Sequence, residues 1–162
     1  YLNQDEVLLV KMHPALNEYG GKHNVSFLDE KIINVTHLDI NELLYVCDVL
    51  VSDYSGVVFD AVLLNKPIFI YAEDIDIYEQ ERGFVIDYRN IVPFPILEKP
   101  NEQKFVSLLR NVVINKHTYD YFKSRFLESC DGFSTKRVLD EISVLLGKSY
   151  KKSQSFNGEH IN

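Results

Sequence analysis

Cysteine is scarce: Cys47 and Cys130 are the two in 162 residues, and neither sits in a Cys-x-x-Cys pair. That removes a disulfide framework and a cysteine zinc cluster, and it fits a reducing compartment. Long apolar runs are missing as well. No stretch approaches the ~20 residues that span a bilayer, and the opening Tyr1-Leu2-Asn3-Gln4-Asp5-Glu6 is not a signal peptide, which reads as a soluble chain. Positive charge is in deficit, with 17 Lys and Arg against 24 Asp and Glu and a net charge of −7, so a general nucleic-acid or anionic-membrane surface is not expected. Gly-x-Gly-x-x-Gly and Walker sequences are absent, which argues against an ordinary dinucleotide site or ATPase. What is present is average for a globular protein, 46% apolar and 25% charged, enough for one core without a staple. The chain starts at Tyr1 and meets an apolar run within six residues, as a piece of a longer polypeptide would. Residues 1–150 read as one Rossmann-like domain, and 151–162 as a polar, flexible tail.

Val7-Leu8-Leu9-Val10 is a β-branched and leucine run of the kind buried on both faces of a parallel sheet. It ends in Lys11-Met12-His13-Pro14, where proline disfavours helix at His13, and Asn17, Gly20, Gly21 and Asn24 read as loop. A second apolar stretch runs from Lys31 to Val35. Asp39 with Glu42 three residues on has the form of a capping box, with Leu43, Leu44, Val46 and Cys47 as the inward face of a short helix. Asp48-Val49-Leu50-Val51 reads as strand, Ser52-Asp53-Tyr54-Ser55-Gly56 as a polar turn, Val57 to Leu64 as a helix apolar nearly all round, and Ile68-Phe69-Ile70-Tyr71 as a buried strand. Together they make a βαβ unit with a right-handed crossover. The acidic segment from Glu73 to Glu81 reads as a solvated face, Gly83 to Tyr88 as a short strand or extended segment, and Val92-Pro93-Phe94-Pro95 as irregular. Three helical patterns close the chain: Phe105, Leu108, Leu109, Val112 and Val113; then Tyr119, Phe122, Phe126 and Leu127; then Val138, Leu139, Ile142, Leu145 and Leu146, with Ser134 as N-cap. The fold class is therefore α/β, a Rossmann-like parallel sheet flanked by helices.

In open α/β sheets, ligands bind beyond the carboxyl ends of the strands. Two polar clusters fall at such ends, Lys11 to Pro14 after the first strand and Ser52 to Gly56 after the third. If those strands share one sheet, a single ligand reaches both. The second cluster suits an anion: the Ser55 hydroxyl and the amides around Gly56 and Val57 face outward at the positive end of a helix, and Gly56 admits a phosphate without a side chain in the way. The same residues also serve a ligand-free role, Ser55 as helix cap and Asp53 as turn closer. His13 is suited to donating a hydrogen bond to a phosphate or to acid–base work, or to a structural place at a strand end. Asp60 is a carboxylate in an apolar helix, which needs a partner such as a ribose hydroxyl or a cation unless it lies near solvent. Arg82 beside Gly83 is suited to gripping a phosphate. Tyr71 and Tyr78 are candidates for a base pocket or for the core.

Taken together, Lys11-Met12-His13-Pro14, Asp39 to Leu44, Val51 to Asp60, Lys66-Pro67, Tyr71, Asp74, Tyr78, Arg82-Gly83-Phe84, Asp87-Tyr88, Pro93, Pro95 and Asp131 to Thr135 resemble the C-terminal domain of the CDP-glycerol glycerophosphotransferases, over residues 7 to 147. The resemblance implies the C-terminal half of a GT-B glycosyltransferase fold and a donor-binding role. The donor would be CDP-glycerol or CDP-ribitol, and the enzyme would add polyol phosphate to a teichoic acid or related cell-surface polymer with release of CMP. His13 would contact the diphosphate and assist catalysis, and Ser55 and Gly56 would hold phosphates. Lys11, Asp53, Asp60 and Arg82 would complete the donor seat, with no cofactor and no metal ligand. The family segment reads Asp-Tyr-Ser-Ser, whereas Gly56 follows Ser55 here, so one hydroxyl is replaced by hydrogen. The family's N-terminal half, with its acceptor-side histidine, has no counterpart in this sequence, and the piece alone is expected to transfer nothing. The resemblance also implies a cytoplasmic enzyme at the inner face of the membrane, with membrane contact and the polyol-phosphate or glycan acceptor coming through other parts. Open alternatives are a GT-B nucleotide-sugar transferase or epimerase domain, and a flavodoxin-like interaction module without chemistry.

Overall fold

A computed structural model of the chain describes residues 2–13, 29–99 and 101–147. The loop read at Asn17, Gly20, Gly21 and Asn24 and the tail read over 151–162 lie outside them. Two parallel ladders organise the described residues. In the first, β1 (Leu8–Val10) pairs with β2 (Ile32–Asn34), Leu8 opposite Ile32. In the second, β3 (Leu50–Ser52), β4 (Ile68–Tyr71) and β5 (Ile96–Leu97) lie in that order, with Leu50 opposite Ile68 and Ile70 opposite Ile96. The α/β class and the parallel pairing agree with the sequence reading. The single sheet does not, because β1 and β3 belong to different ladders among the described residues.

The core gathers on the second ladder. Ile68, Phe69 and Ile70 are each 1% exposed or less, so β4 is covered on both faces. Helix α2 (Val57–Leu63) lies on β3 and β4 and buries Val58, Ala61 and Val62, whose spacing puts them on one side. Its opposite side carries Asp60 and Leu63 to solvent, so this nearly all-apolar helix is covered on one side only. Helix α1 (Ile40–Val46) starts where the Asp39 carboxylate accepts from the Asn41 and Glu42 N–H groups. Leu43 and Leu44 are buried as expected, but Val46 is 70% exposed, because a helix this short turns one apolar stripe inward and Val46 lies off it. The Lys66 ammonium donates to the Tyr45 and Cys47 carbonyls, which the end of α1 leaves without intrahelical partners. Asn65, in the left-handed region at φ 53°, makes the tight turn that brings Lys66 there.

The acidic segment forms helix α3 (Ile75–Glu81), with Ile75 buried and its carboxylates outward. Gly83, at φ 71°, closes it by donating its N–H to the Tyr78 and Glu79 carbonyls, a backbone position that suits glycine. The stretch from Gly83 to Tyr88, read as a short strand or extended segment, forms no strand. Asp87 accepts from the Asn90 N–H and starts a single helical turn, α4 (Tyr88–Ile91). After the irregular Val92 to Pro95 comes β5, a strand the sequence reading omits. Helix α5 (Glu102–Arg110) follows, then α6 (Lys116–Phe126), which buries Tyr119 and Phe122 against α2. Phe59 of α2 stacks on Phe122 with centroids 5.6 Å apart. The last helix, α7 (Ser134–Leu145), begins with Ser134 as its first residue rather than its cap, and none of its residues is buried.

The N-terminal strand also departs from expectation. Val7 is 54% and Leu8 44% exposed, so the run is not covered on both faces. An apolar run reports affinity for cover, not its presence.

Candidate functional site

Both polar clusters stand at the carboxyl ends of parallel strands, Lys11-Met12-His13 after β1 and Ser52 to Gly56 after β3. The first is built by anchoring. The Lys11 ammonium donates to the Thr36 and Leu38 carbonyls at 2.9 and 2.6 Å, and the Met12 N–H donates to the Thr36 hydroxyl, so the loop after β2 is tied to the end of β1. Lys11 therefore spends hydrogen bonds on the backbone, a use the sequence reading did not assign. His13 follows it and is exposed.

The second cluster is a chain of short-range turns. The Asp53 carboxylate accepts from the Ser55 N–H at 3.0 Å, and the Ser55 hydroxyl accepts from the Val57 N–H at 3.4 Å. Asp53 thus closes an Asx turn and Ser55 covers one of the free amides of α2. The Gly56 N–H has no hydrogen-bond partner among the described residues. A Cβ built on Gly56 meets nothing within 4 Å and its φ is −61°, so the backbone does not require glycine there and the space in front of it is open. Asp60 is exposed on α2, so its carboxylate carries no desolvation penalty that would force a partner on it.

Arg82 approaches this turn through stacked rings. Its guanidinium carbon lies 5.7 Å from the centre of the Tyr78 ring, and Tyr78 lies 4.2 Å from the ring of Tyr54, the residue between Asp53 and Ser55. Phe84 and Tyr88 complete the group at 5.2 and 6.0 Å from Tyr54. Arg82 forms no ion pair among the described residues, although it ends an acidic helix. Two acids of α3 are held by Arg89 instead, which pairs with Asp76 and Glu79 and with Glu98 beyond β5, at 2.7, 3.1 and 3.3 Å. Hydrogen bonding to Asp76, first among several causes, holds the Arg89 guanidinium above its ordinary pKa.

Sequence reasoning placed no function on Tyr54 or Asp74, yet the Tyr54 hydroxyl donates to the Asp74 carboxylate at 2.9 Å. Burial first, and that carboxylate second, raise the Tyr54 phenol well above its usual pKa, so it stays protonated. A large aromatic inside a polar turn was the available signal, because such a ring must find cover. Of the two tyrosines offered for a base pocket, Tyr78 is in the ring group. Tyr71 is instead half-exposed and hydrogen-bonded to Glu73.

The two clearest hollows are small, about 170 and 190 Å³. One is lined by residues that include Glu79, Asp87 and Arg89, the other by residues that include Ile96, Lys104 and Leu108. Neither is lined by His13 or Ser55, and both are smaller than the ~300 Å³ at which ligand pockets usually begin. Among the described residues no group of three or more His, Cys, Asp or Glu is placed to hold a metal ion, and no helix is long and apolar enough to cross a membrane.

An α/β frame with polar turns at the carboxyl ends of its parallel strands is the class of domain in which ligands bind at those strand ends. The family model of the CDP-Glycerol:Poly(glycerophosphate) glycerophosphotransferases matches residues 1–144, and this chain belongs to that family. It is 34% identical over 144 residues to a teichoic acid poly(ribitol-phosphate) polymerase of Bacillus spizizenii, covering 87% of this chain and 22% of that protein. It is 30% identical over 145 residues to a teichoic acid glycerol-phosphate primase of Bacillus subtilis, covering 90% and 36%. The solved wall teichoic acid polymerase TagF shares the fold, with a TM-score of 0.65 and 30% identity over 87% of this chain and 34% of that one. The chain thus spans between about a fifth and just over a third of the length of these relatives.

Proposed function

We propose that this chain is the donor-binding part of a polyol-phosphate transferase that takes CDP-glycerol or CDP-ribitol and extends a teichoic acid or related surface polymer, releasing CMP. The observation that carries the reading is the family match over residues 1–144, which contains the strand-end turn of Asp53, Ser55 and Gly56 with its open Gly56 amide. In the reaction, an acceptor hydroxyl oxygen bonds to the phosphorus that bears the polyol. The anhydride P–O bond breaks, CMP leaves with the bonding pair, and the hydroxyl proton passes to a base supplied by the rest of the protein. Little of that chemistry is covalent on the enzyme, so stabilising the charge on the departing phosphate supplies most of the rate. Ser55, the Gly56 amide and Arg82 hold the diphosphate, and His13 donates to the leaving phosphate. Asp60 is assigned to the ribose hydroxyls and Asp53 keeps the turn in shape. The enzyme works at the cytoplasmic face of the membrane, and membrane contact and acceptor binding fall to the remainder of the protein.

Calorimetric titration with CDP, CDP-glycerol, CDP-ribitol and UDP tests this reading. The chain is expected to prefer the cytidine ligands, to lose about tenfold in affinity in Ser55→Ala or Arg82→Ala, in line with loss of one charge-assisted bond, and to show no turnover by itself. Equal binding of UDP and CDP, or no response to either variant, overturns it.

A further inference from the structure

We infer that Tyr54 and Asp74 are positioning residues of the donor seat: their hydrogen bond clamps the turn after β3 to the turn after β4, and the Tyr54 ring sets where Arg82 stands. The inference rests on the donor-binding reading above.

Three observations carry it. First, Asp74 occupies the N-cap position of α3, where an aspartate ordinarily accepts from the helix's free amides, yet its side chain makes no capping bond. Its carboxylate accepts from the Tyr54 hydroxyl at 2.9 Å instead, across twenty positions of chain. Second, Tyr54 lies between Asp53 and Ser55, the two residues whose side chains shape the turn, so fixing its ring fixes the backbone that presents the Ser55 hydroxyl and the Gly56 amide. Third, Tyr78 stacks on Phe84 at 5.2 Å and 19° and touches Tyr54 at 4.2 Å, with Arg82 over its ring. The Tyr54 ring therefore links the turn to the cation through Tyr78. Preorganisation of this kind stabilises a bound anion by removing the reorganisation that a loose turn and a swinging arginine would require.

The experiment is calorimetric titration of CDP into the full chain and its variants Tyr54→Phe, Asp74→Ala, Asp74→Asn and the double Tyr54→Phe/Asp74→Ala, with thermal unfolding of each. Tyr54→Phe and Asp74→Ala are each expected to weaken CDP about tenfold, equivalent to about 1.4 kcal/mol. Asp74→Asn keeps an oxygen acceptor for the phenol and should stay within about threefold of wild type, and the double variant should be no weaker than either single one, as one shared interaction requires. Wild-type affinity in Tyr54→Phe and Asp74→Ala overturns the inference, even where their melting temperatures fall. So does an Asp74→Asn as weak as Asp74→Ala, or an additive double variant. A wild-type chain that does not bind CDP refutes the donor-binding reading itself, an outcome distinct from unequal or equal variants on a chain that does.

Discussion

Replacing Phe122 by alanine tests whether the helix that presents the candidate site is held from behind as described. The ring is fully buried and touches Phe59 of α2, Phe94 before β5 and Phe126 one turn on, at 5.6, 6.2 and 4.8 Å. Its removal takes away a ring contact between α6 and α2 and leaves a void between packed elements, so collapse into it is restricted. Truncations of this kind cost about 3–5 kcal/mol. An unfolding entropy of about 2.1 cal/mol/K per residue gives roughly 0.3 kcal/mol/K for a chain of this size, so the melting temperature should fall by about 10–15 °C. Phe122→Leu, which keeps most of the volume, should cost about 1–1.5 kcal/mol and about 4 °C. Circular-dichroism melts together with urea titrations measure both. A fall of less than about 3 °C in the alanine variant, with an unchanged urea slope, would refute the packing of α6 on α2.

The remaining expectations are smaller. Arg110 binds both oxygens of Glu6 at 2.6 Å, which holds that carboxyl at about 2 against the usual 4.5. The folded value lies below the unfolded one, so the pair's contribution is complete above about pH 4.5 and disappears as pH falls toward 2. Melting temperatures of wild type and Glu6→Gln should differ at pH 6 and converge near pH 2, and a difference that persists at the acid end contradicts the assignment. Asn65→Ala should cost about 1–2 kcal/mol, since it loses both a tolerant left-handed residue and the acceptor for Lys123, whereas Asn65→Gly should cost about half that. Chemical denaturation that ranks glycine below alanine at this position would show that φ is not what selects asparagine.

The second ladder and its helix were readable because each position had one use. Ile68 to Ile70 are apolar on both faces and prove buried on both, and Val58, Ala61 and Val62 fall on one helical side. β5 was not readable: Ile96-Leu97 is two residues long and follows Pro95, whose carbonyl nonetheless accepts from the Ile70 N–H at the sheet edge, a place where proline is tolerated. α3 read as a solvated face because only Ile75 and Tyr78 turn inward among its carboxylates. At the site, the strand-end placement of His13 and Ser55 followed from pattern alone, as did the turn-closing role of Asp53. The anchoring by Lys11, the Tyr54–Asp74 bond and the separation of the two ladders depend on residues far apart in sequence, which local spacing does not report.

The three-carboxylate grip of Arg89 matters for encounter rather than for folding. A chain of net charge −7 repels a dianionic or trianionic ligand at long range. By holding Asp76, Glu79 and Glu98 to itself, Arg89 cancels part of the negative field on the flank of α3, while Arg82 stands over the Tyr78 ring without an ion pair among the described residues. On the donor-binding reading proposed above, a diphosphate diffusing in from solvent is repelled by most of the surface and feels the Arg82 charge only within about one Debye length, ~8 Å at physiological ionic strength. On that reading, capture at this edge depends on where the acids have been gathered up as much as on where the bases stand.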